Sequence, residues 1–293
     1  MNTYQTFAVL GGDLRQVHVA NRLAARGKTV YALLMEKNCA LSPGLACGKD
    51  PARVLPACDV VILPMPMTTD ERTINSPFSD KKLRVADCLA RLRPDTVVLA
   101  GKVSDRMREL ARAHKVPVID YLEREELAVK NAAVAAEGAL TIALEELPVT
   151  LLDAQCLVTG RGRLARALMR VLRGVGAQVT VAARRCGDLA EIEAAGCRAV
   201  HTAELAEHVA GKAVLFNTVP ARLFTRPVLA RLDREALLID LASRPGGVDL
   251  NAAGELGVKA IWALSLPGKC APLTAGDIIL ETVDNCLAER GAL

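Results

Sequence analysis

The chain has 293 residues, 51% of them hydrophobic and 3% aromatic, with 37 Lys+Arg against 33 Asp+Glu for a formal charge of +4. That length suits about two domains of ~100–200 residues each, and so apolar a chain is not intrinsically disordered. The cations are interspersed with acids, and 4 Phe, 3 Tyr and 1 Trp offer few stacking rings, which excludes a dedicated nucleic-acid binder. Nine cysteines, at positions 39, 47, 58, 88, 156, 186, 197, 270 and 286, are odd in number, far apart and without a C-x-x-C pair. They argue against a disulfide framework or a zinc site and read as buried thiols in a reducing compartment. The N-terminus passes into the short apolar stretch Phe7 to Gly12 and then Asp13, which is neither a signal peptide nor long enough to span a bilayer. The expectation is a cytoplasmic protein that uses neither membrane nor metal.

Short runs rich in Val, Ile and Leu alternate with helix-like patterns, the signature of parallel sheets buried on both faces. A first set of strands is expected at 6–11, 29–34, 59–65, 96–101 and 116–121. The first strand runs into Gly11-Gly12-Asp13-Leu14-Arg15-Gln16 and a helix. Asp13 sets a negative charge where a pyrophosphate would sit, so this loop is unsuited to a nucleotide. Arg15 either receives a substrate carboxylate, with Asp13 orienting it, or forms a surface salt bridge; spacing alone does not choose. The segment 64–79 (PMPMTTDERTINSPFS) is rich in hydroxyls and proline and suits an anion-binding or mobile loop.

Residues 123–147 read as one long alanine-rich helix ended by Pro148. A second set of strands is expected at 155–159, 178–183, 198–202, 213–219, 236–242 and 258–264. Directly after the first of these comes Gly160-Arg161-Gly162-Arg163-Leu164-Ala165, followed by a helix pattern. The first glycine permits the tight turn, the second lets a pyrophosphate approach the backbone, and Ala165 allows close helix-to-strand packing. This G-x-G-x-x-A has its strand before it, its helix after it and a second strand at the right distance, so it reads as a dinucleotide loop. The end of that second strand carries Arg184-Arg185 where an Asp or Glu would hold the ribose hydroxyl of NAD. Two guanidinium groups suit a 2′-phosphate, which favours NADP over NAD.

Three further segments fall at carboxyl ends of strands, where ligands collect in doubly wound sheets. Asn217-Thr218-Val219-Pro220 places amide and hydroxyl groups toward a nicotinamide or its ribose. The segment 240–247 (DLASRPGG) offers Arg244, and 266–276 (LPGKCAPLTAG) offers Lys269, with Thr274 as the N-cap of a last helix and Asp277 at the capping-box spacing. None of the four histidines sits where a catalytic role can be argued.

These segments, GGDLRQ (11–16), Thr68-Thr69, Asn131 and Glu137 on the long helix, GRGR (160–163), NTVP (217–220), DLASRPGG and LPGKCAPLTAG, together resemble the A subunit of bacterial dipicolinate synthase, from Phe7 to about Ala288. The resemblance implies an NADP-dependent conversion of dihydrodipicolinate to dipicolinate in the mother cell of a sporulating bacterium. It also implies that the partner is the flavoprotein-like B subunit of that synthase; a homo-oligomer is left open.

The fold class expected is α/β, with two doubly wound parallel-sheet (Rossmann-like) domains joined by a long connecting helix. Residues 1–122 form a substrate and partner domain, 123–148 the connecting helix, 149–273 the NADP-binding domain and 274–293 a C-terminal helix that packs on either half. Cofactor residues are Gly160, Arg161, Gly162, Arg163, Leu164, Arg184, Arg185, Asn217, Thr218, Val219 and Pro220. The substrate carries a carboxylate on each side of a ring nitrogen, so Arg15 with Thr68 and Thr69, and Arg244 or Lys269, are the expected anion holders. Asp240 is either a base or, the stronger reading, a loop cap, and no catalytic residue is assigned. The competing functions are a non-catalytic NADP-binding scaffold or regulatory subunit, and a related dehydrogenase acting on another dicarboxylate.

Overall fold

The computed structural model describes residues 4–47 and 49–291. The chain divides into two compact units: the N-terminal part to Lys130 together with the segment from Ala271 onward, and Asn131–Cys270.

The first unit holds the strands β1 (Thr6–Leu10), β2 (Thr29–Leu33), β3 (Ala46–Cys47), β4 (Val60–Ile62), β5 (Val97–Ala100) and β6 (Val118–Asp120). They form one sheet in the order β3-β2-β1-β4-β5-β6, every pair parallel. The central strands are buried on both faces, which is why they read as unbroken apolar runs rather than as alternation. β3 escapes the sequence pattern because its two residues are too short to show a period.

Helix Leu14–Ala25 starts at Asp13, whose carboxylate accepts the Arg15 backbone N–H at 3.0 Å, and it buries Val17, Val19, Ala20 and Leu23. The C-terminal helix Pro272–Gly291 lies against it, burying Ala275, Ile279 and Val283 at four-residue spacing. A Cβ on Gly276 would stand 2.9 Å from the Arg15 carbonyl oxygen and 2.9 Å from His18 Cδ2, so only glycine lets the two backbones come this close. Asp277 pairs with His18 at 3.0 Å and Arg22 at 3.1 Å, and Asp284 with Arg26 at 2.7 Å. These exposed pairs add little beside the apolar stripe. The expected start of this helix is corrected here. Pro272, favoured at a first helical position, opens it before Thr274, and Asp277 turns to His18 and Arg22 instead of closing a capping box.

The second unit repeats the plan with β7 (Gln155–Thr159), β8 (Gln178–Ala183), β9 (Arg198–His201), β10 (Val214–Asn217), β11 (Leu237–Asp240) and β12 (Lys259–Trp262) in the parallel order β12-β11-β10-β7-β8-β9. β7 and β10 are central neighbours at the point where the strand order reverses, the position at which such sheets bind ligands. Helix Arg163–Gly174 turns Ala165, Leu168, Met169 and Leu172 into the core at the i, i+3, i+4, i+7 spacing. Helix Glu125–Glu146 contains an 18-residue stretch with a mean hydropathy of 1.4 and is long and apolar enough to cross a bilayer. Ala136, Ala139 and Ala143 lie fully buried in one core cluster with Val158 and Leu168, so one face of the helix is a core stripe, while Val129 and Leu144 are exposed.

The expectation that the cysteines are buried holds for Cys58, Cys88, Cys156, Cys197 and Cys286; Cys39, Cys186 and Cys270 are exposed. Burial pushes the Cys58 thiol up to about 11 and those of Cys88 and Cys156 to about 12.

Tyr121 ties the first unit together. It is fully buried, its hydroxyl donates to the Leu63 carbonyl at 2.9 Å and accepts from Gln16 Nε2 at 3.2 Å, and burial raises its pKa. Tyr121→Phe strands both partners without opening a large cavity, at a cost of about 1–2 kcal/mol. A lower urea midpoint for the first unit, read by circular dichroism, is the expected outcome; an unchanged midpoint contradicts it.

Candidate functional site

At the carboxyl edge of the second sheet, Gly160, Arg161, Gly162, Ala183, Arg184, Arg185, Asp188, Thr202, Val219, Ala221 and Leu223 line a cavity of about 360 Å³. Gly160 has φ +96°, and a Cβ there would fall 2.7 Å from Thr218 Oγ1 and 3.0 Å from a Val219 methyl group. Only glycine makes this turn between β7 and the helix. A Cβ on Gly162 would meet no protein atom within 4 Å, so the space above it is open to a ligand. No side chain caps helix Arg163–Gly174, and its first-turn amides are oriented to receive an anion. Arg184 and Arg185 follow β8 at the cavity wall, both exposed. The donor set therefore fits a dinucleotide: a glycine turn and helix start for the pyrophosphate, with two guanidinium groups at the adenosine side.

Of the expected cofactor residues, Gly160, Arg161, Gly162, Arg184, Arg185 and Val219 line this cavity, whereas Arg163, Leu164, Asn217, Thr218 and Pro220 do not. The reading of Asn217 and Thr218 as ligand-facing polar groups is corrected by their hydrogen bonds. Asn217 is fully buried; its Nδ2 donates to Asp240 Oδ1 at 2.7 Å and to the Val219 carbonyl at 3.0 Å. Its Oδ1 accepts from Thr159 Oγ1 at 2.6 Å and from the Val219 N–H at 3.2 Å. The Thr218 hydroxyl donates to the Thr159 carbonyl at 2.6 Å. Both side chains brace the strand ends. Asp188, Thr202, Ala221 and Leu223 escaped sequence reasoning because their places in the wall depend on how a helix start, a 3-10 turn and a loop meet.

Asp240 is 2% exposed and its carboxylate is fully engaged. Besides Asn217, it accepts the backbone N–H groups of Ala242 at 3.1 Å and Gly247 at 2.8 Å. It is a loop brace, and the base role raised for it is not supported. The loop it holds carries the cis bond Arg244–Pro245 and Gly246 at φ +84°. Arg244 is exposed, its guanidinium carbon 6.0 Å from the Trp262 ring centre, and the Trp262 indole N–H donates to the Ala242 carbonyl at 3.0 Å. Lys269 lies exposed on the short helix Leu266–Cys270, where a loop was expected.

In the first unit, Arg15 is 6% exposed and its guanidinium is aimed by its neighbours. Nε donates to both Asp13 oxygens at 2.9 and 3.1 Å, and Nη2 donates to Asp13 at 2.8 Å and to the Met65 carbonyl at 2.8 Å. The Arg15–Asp13 ion pair is formed, with Arg15 buried and Asp13 more open, a geometry that serves either alternative for this residue. Nη1 makes no hydrogen bond among the described residues and is available to an anion.

The unsuitability of the first loop for a nucleotide has a second cause besides Asp13. The Gly12 N–H donates to the Asn75 carbonyl at 2.7 Å, and a Cβ on Gly11 would meet that same oxygen at 2.4 Å. The segment 64–79 thus covers the place a pyrophosphate would take. Met67 N–H donates to the Gly101 carbonyl and Asn75 N–H to the Met67 carbonyl, bonds that anchor the segment to the sheet edge. Thr68 is buried and its hydroxyl donates to Asp70 at 2.9 Å, while Thr69 is exposed. Asp70 is held well below the usual carboxylate range by the backbone N–H and hydroxyl of Thr73, the Arg72 N–H and the Thr68 hydroxyl.

Replacing Asp240 with Asn turns an NH2 donor toward N–H donors that need an acceptor. The expected cost is about 2–3 kcal/mol, the worth of charge-assisted bonds to a buried carboxylate. Calorimetry reads it as a lower melting temperature; an unshifted transition removes Asp240 from its bracing role.

A family model described as the N-terminal domain of the dipicolinate synthase A subunit matches residues 6–122. The dipicolinate synthase A subunit of Bacillus subtilis (strain 168) is 32% identical over 291 residues, which cover 99% of this chain and 98% of that protein. The crystal structure of dipicolinate synthase, A chain, from Bacillus subtilis is similar with a TM-score of 0.89 at 31% identity, covering 100% of this chain and 98% of the other. That of the A subunit from Bacillus halodurans gives 0.90 at 27% identity, covering 98% and 99%. A transhydrogenase from Sinorhizobium meliloti shares the fold at a TM-score of 0.70 and 18% identity, covering 97% and 93%. With a relative so close along nearly its whole length, the chain belongs to the family of dipicolinate synthase A subunits.

Proposed function

We propose that this protein is the NADP-linked A subunit of a dipicolinate synthase and oxidises dihydrodipicolinate to dipicolinate. The observation that carries this reading is the cavity beside Gly160, with Arg184 and Arg185 in its wall, in a chain of this family. NADP, when bound, takes up the hydride leaving a saturated ring carbon while a proton leaves elsewhere on the ring, which yields the aromatic pyridine.

The chain's own contribution is positioning and charge. Gly160 and Gly162 admit the pyrophosphate, the amides opening helix Arg163–Gly174 face it, and Arg184 and Arg185 pair with the 2′-phosphate. Arg15, with Nη1 left for a ligand, is the cation that we propose for a ring carboxylate in the first unit, and Arg244 and Lys269 are the exposed cations of the second. Pairing a ring carboxylate with a positioned guanidinium orients the substrate, and such positioning contributes several kcal/mol toward the barrier. Aromatisation favours product strongly, so the full engagement of Asp240 by its neighbours leaves the scheme intact. The relative's designation as an A subunit supports a second polypeptide, which we assign as the flavoprotein-like B subunit. The mother-cell cytoplasm of a spore former is the proposed setting.

Asp188 supports a second reading, in which the cofactor is NAD. Its carboxylate in the cavity wall suits a free ribose hydroxyl and repels a 2′-phosphate. The expected result is that the protein binds NADPH at least about tenfold more tightly than NADH, a difference of about 1.4 kcal/mol, and that Arg184→Ala with Arg185→Ala narrows the ratio. Equal affinities in the parent protein, followed by fluorescence titration, favour the Asp188 reading.

Arg15→Ala is expected to raise KM for dihydrodipicolinate at least about tenfold with NADPH affinity unchanged. A substrate KM indifferent to Arg15, Arg244 and Lys269 points instead to a cofactor-holding scaffold whose partner performs the chemistry.

A further inference from the structure

Between Asp153 and Asp188 the chain carries Arg161, Arg163, Arg166, Arg170, Arg173, Arg184 and Arg185 and no carboxylate. The dinucleotide site uses Arg184 and Arg185. Arg161, which also lines that pocket, joins Arg166, Arg170 and Arg173 in a second cavity of about 470 Å³ that reaches Gly174 and Ala195. Arg166, Arg170 and Arg173 stand at i, i+4 and i+7 on helix Arg163–Gly174, hence on one side of it. Among the described residues, none of these three makes an ion pair. Arg173 is placed by the turn after helix Cys186–Ala194, where its Nη2 lies 2.9 Å from the position a Cβ on Gly196 would take. The buried Cys197 thiol feels the charges of both Arg161 and Arg173, so these two heads approach one place from different elements.

Arg161 is the informative member. Its side chain is 11% exposed, and Nη2 pairs with Glu191 at 2.8 Å. Its Nε and Nη1 are buried and donate to nothing. Unpaired buried donors on a cation carry a desolvation penalty that an anion placed against them relieves. Four guanidinium groups facing one groove with a single carboxylate also repel one another, and a polyoxyanion offsets that repulsion. Planar forks of N–H donors match phosphate oxygens.

We infer that the groove along helix Arg163–Gly174, built from Arg161, Arg166, Arg170 and Arg173, is a binding site for a phosphate-bearing small anion, separate from the dinucleotide pocket. Arg161 walls both cavities, so the two sites share one guanidinium group and their occupancies are linked.

Inorganic pyrophosphate is the probe, titrated calorimetrically into the full chain at constant ionic strength. The test is made in the parent and in the Arg184→Ala/Arg185→Ala protein, whose dinucleotide pocket keeps only the shared Arg161 among its lining arginines. Saturable binding is expected in both. Adding Arg170→Gln and Arg173→Gln, at exposed positions without protein ion pairs, is expected to weaken it at least about tenfold with an unchanged melting curve. Arg170→Gln alone, which disturbs the surface least, is expected to weaken it measurably and guards against a folding defect in the combined variant. Two results overturn the inference: no saturable heat in the Arg184→Ala/Arg185→Ala protein, or binding there that is indifferent to both sets of glutamine substitutions.

Discussion

A parallel sheet covered on both faces ends in carbonyl and amide groups that turn away from the ladder at its carboxyl edge, and those groups must be satisfied there or face water. In each unit a buried aspartate meets this constraint. Asp240, at the end of β11, gathers the N–H groups of Ala242 and Gly247 and the amide of Asn217; Asp120, at the end of β6, accepts the N–H groups of Lys102, Val103 and Leu122. Through Asn217 the first brace extends to Thr159 on β7, so three adjacent strands of the second sheet share one hydrogen-bonded network. The loops that form the cavity wall hang from it.

The two units share a strand order and have diverged in what the first loop does. In the second, Gly160 bends the chain away from β7 and leaves open space above Gly162. In the first, the equivalent turn is filled by the Asn75 carbonyl, while Asp13 is spent on capping a helix and steering Arg15. The same topology thus gives one edge suited to a dinucleotide and another that presents a single aimed cation. Fold alone decides neither; a few backbone and side-chain substitutions at the strand ends do.

Much of this is legible in the amino-acid sequence, and what is not has physical causes. The apolar runs locate eleven strands, because a strand buried on both faces leaves an unmistakable composition, whereas Ala46–Cys47 is too short to leave any. The glycine loop and the paired arginines are readable because their chemistry is local to a turn and its neighbouring strand. Asn217 misleads because a polar residue at a strand end suits a ligand contact or a buried brace equally well, and only its four partners distinguish them. Asp188 and Thr202 are invisible because the wall they belong to is assembled from separate elements, a helix start and a 3-10 turn among them. The groove of arginines is in plain view as composition, yet its convergence depends on where Arg161 turns and on the Gly196 corner.

Trp262 is the chain's single tryptophan, and it sits with its indole bonded to the Ala242 carbonyl beneath the exposed Arg244. Any excitation at the red edge of protein absorbance therefore interrogates one fluorophore at one location. Its emission colour and lifetime report the conformation of the 240–247 loop without labelling, and energy transfer from it to a reduced pyridine ring would act as a built-in molecular ruler.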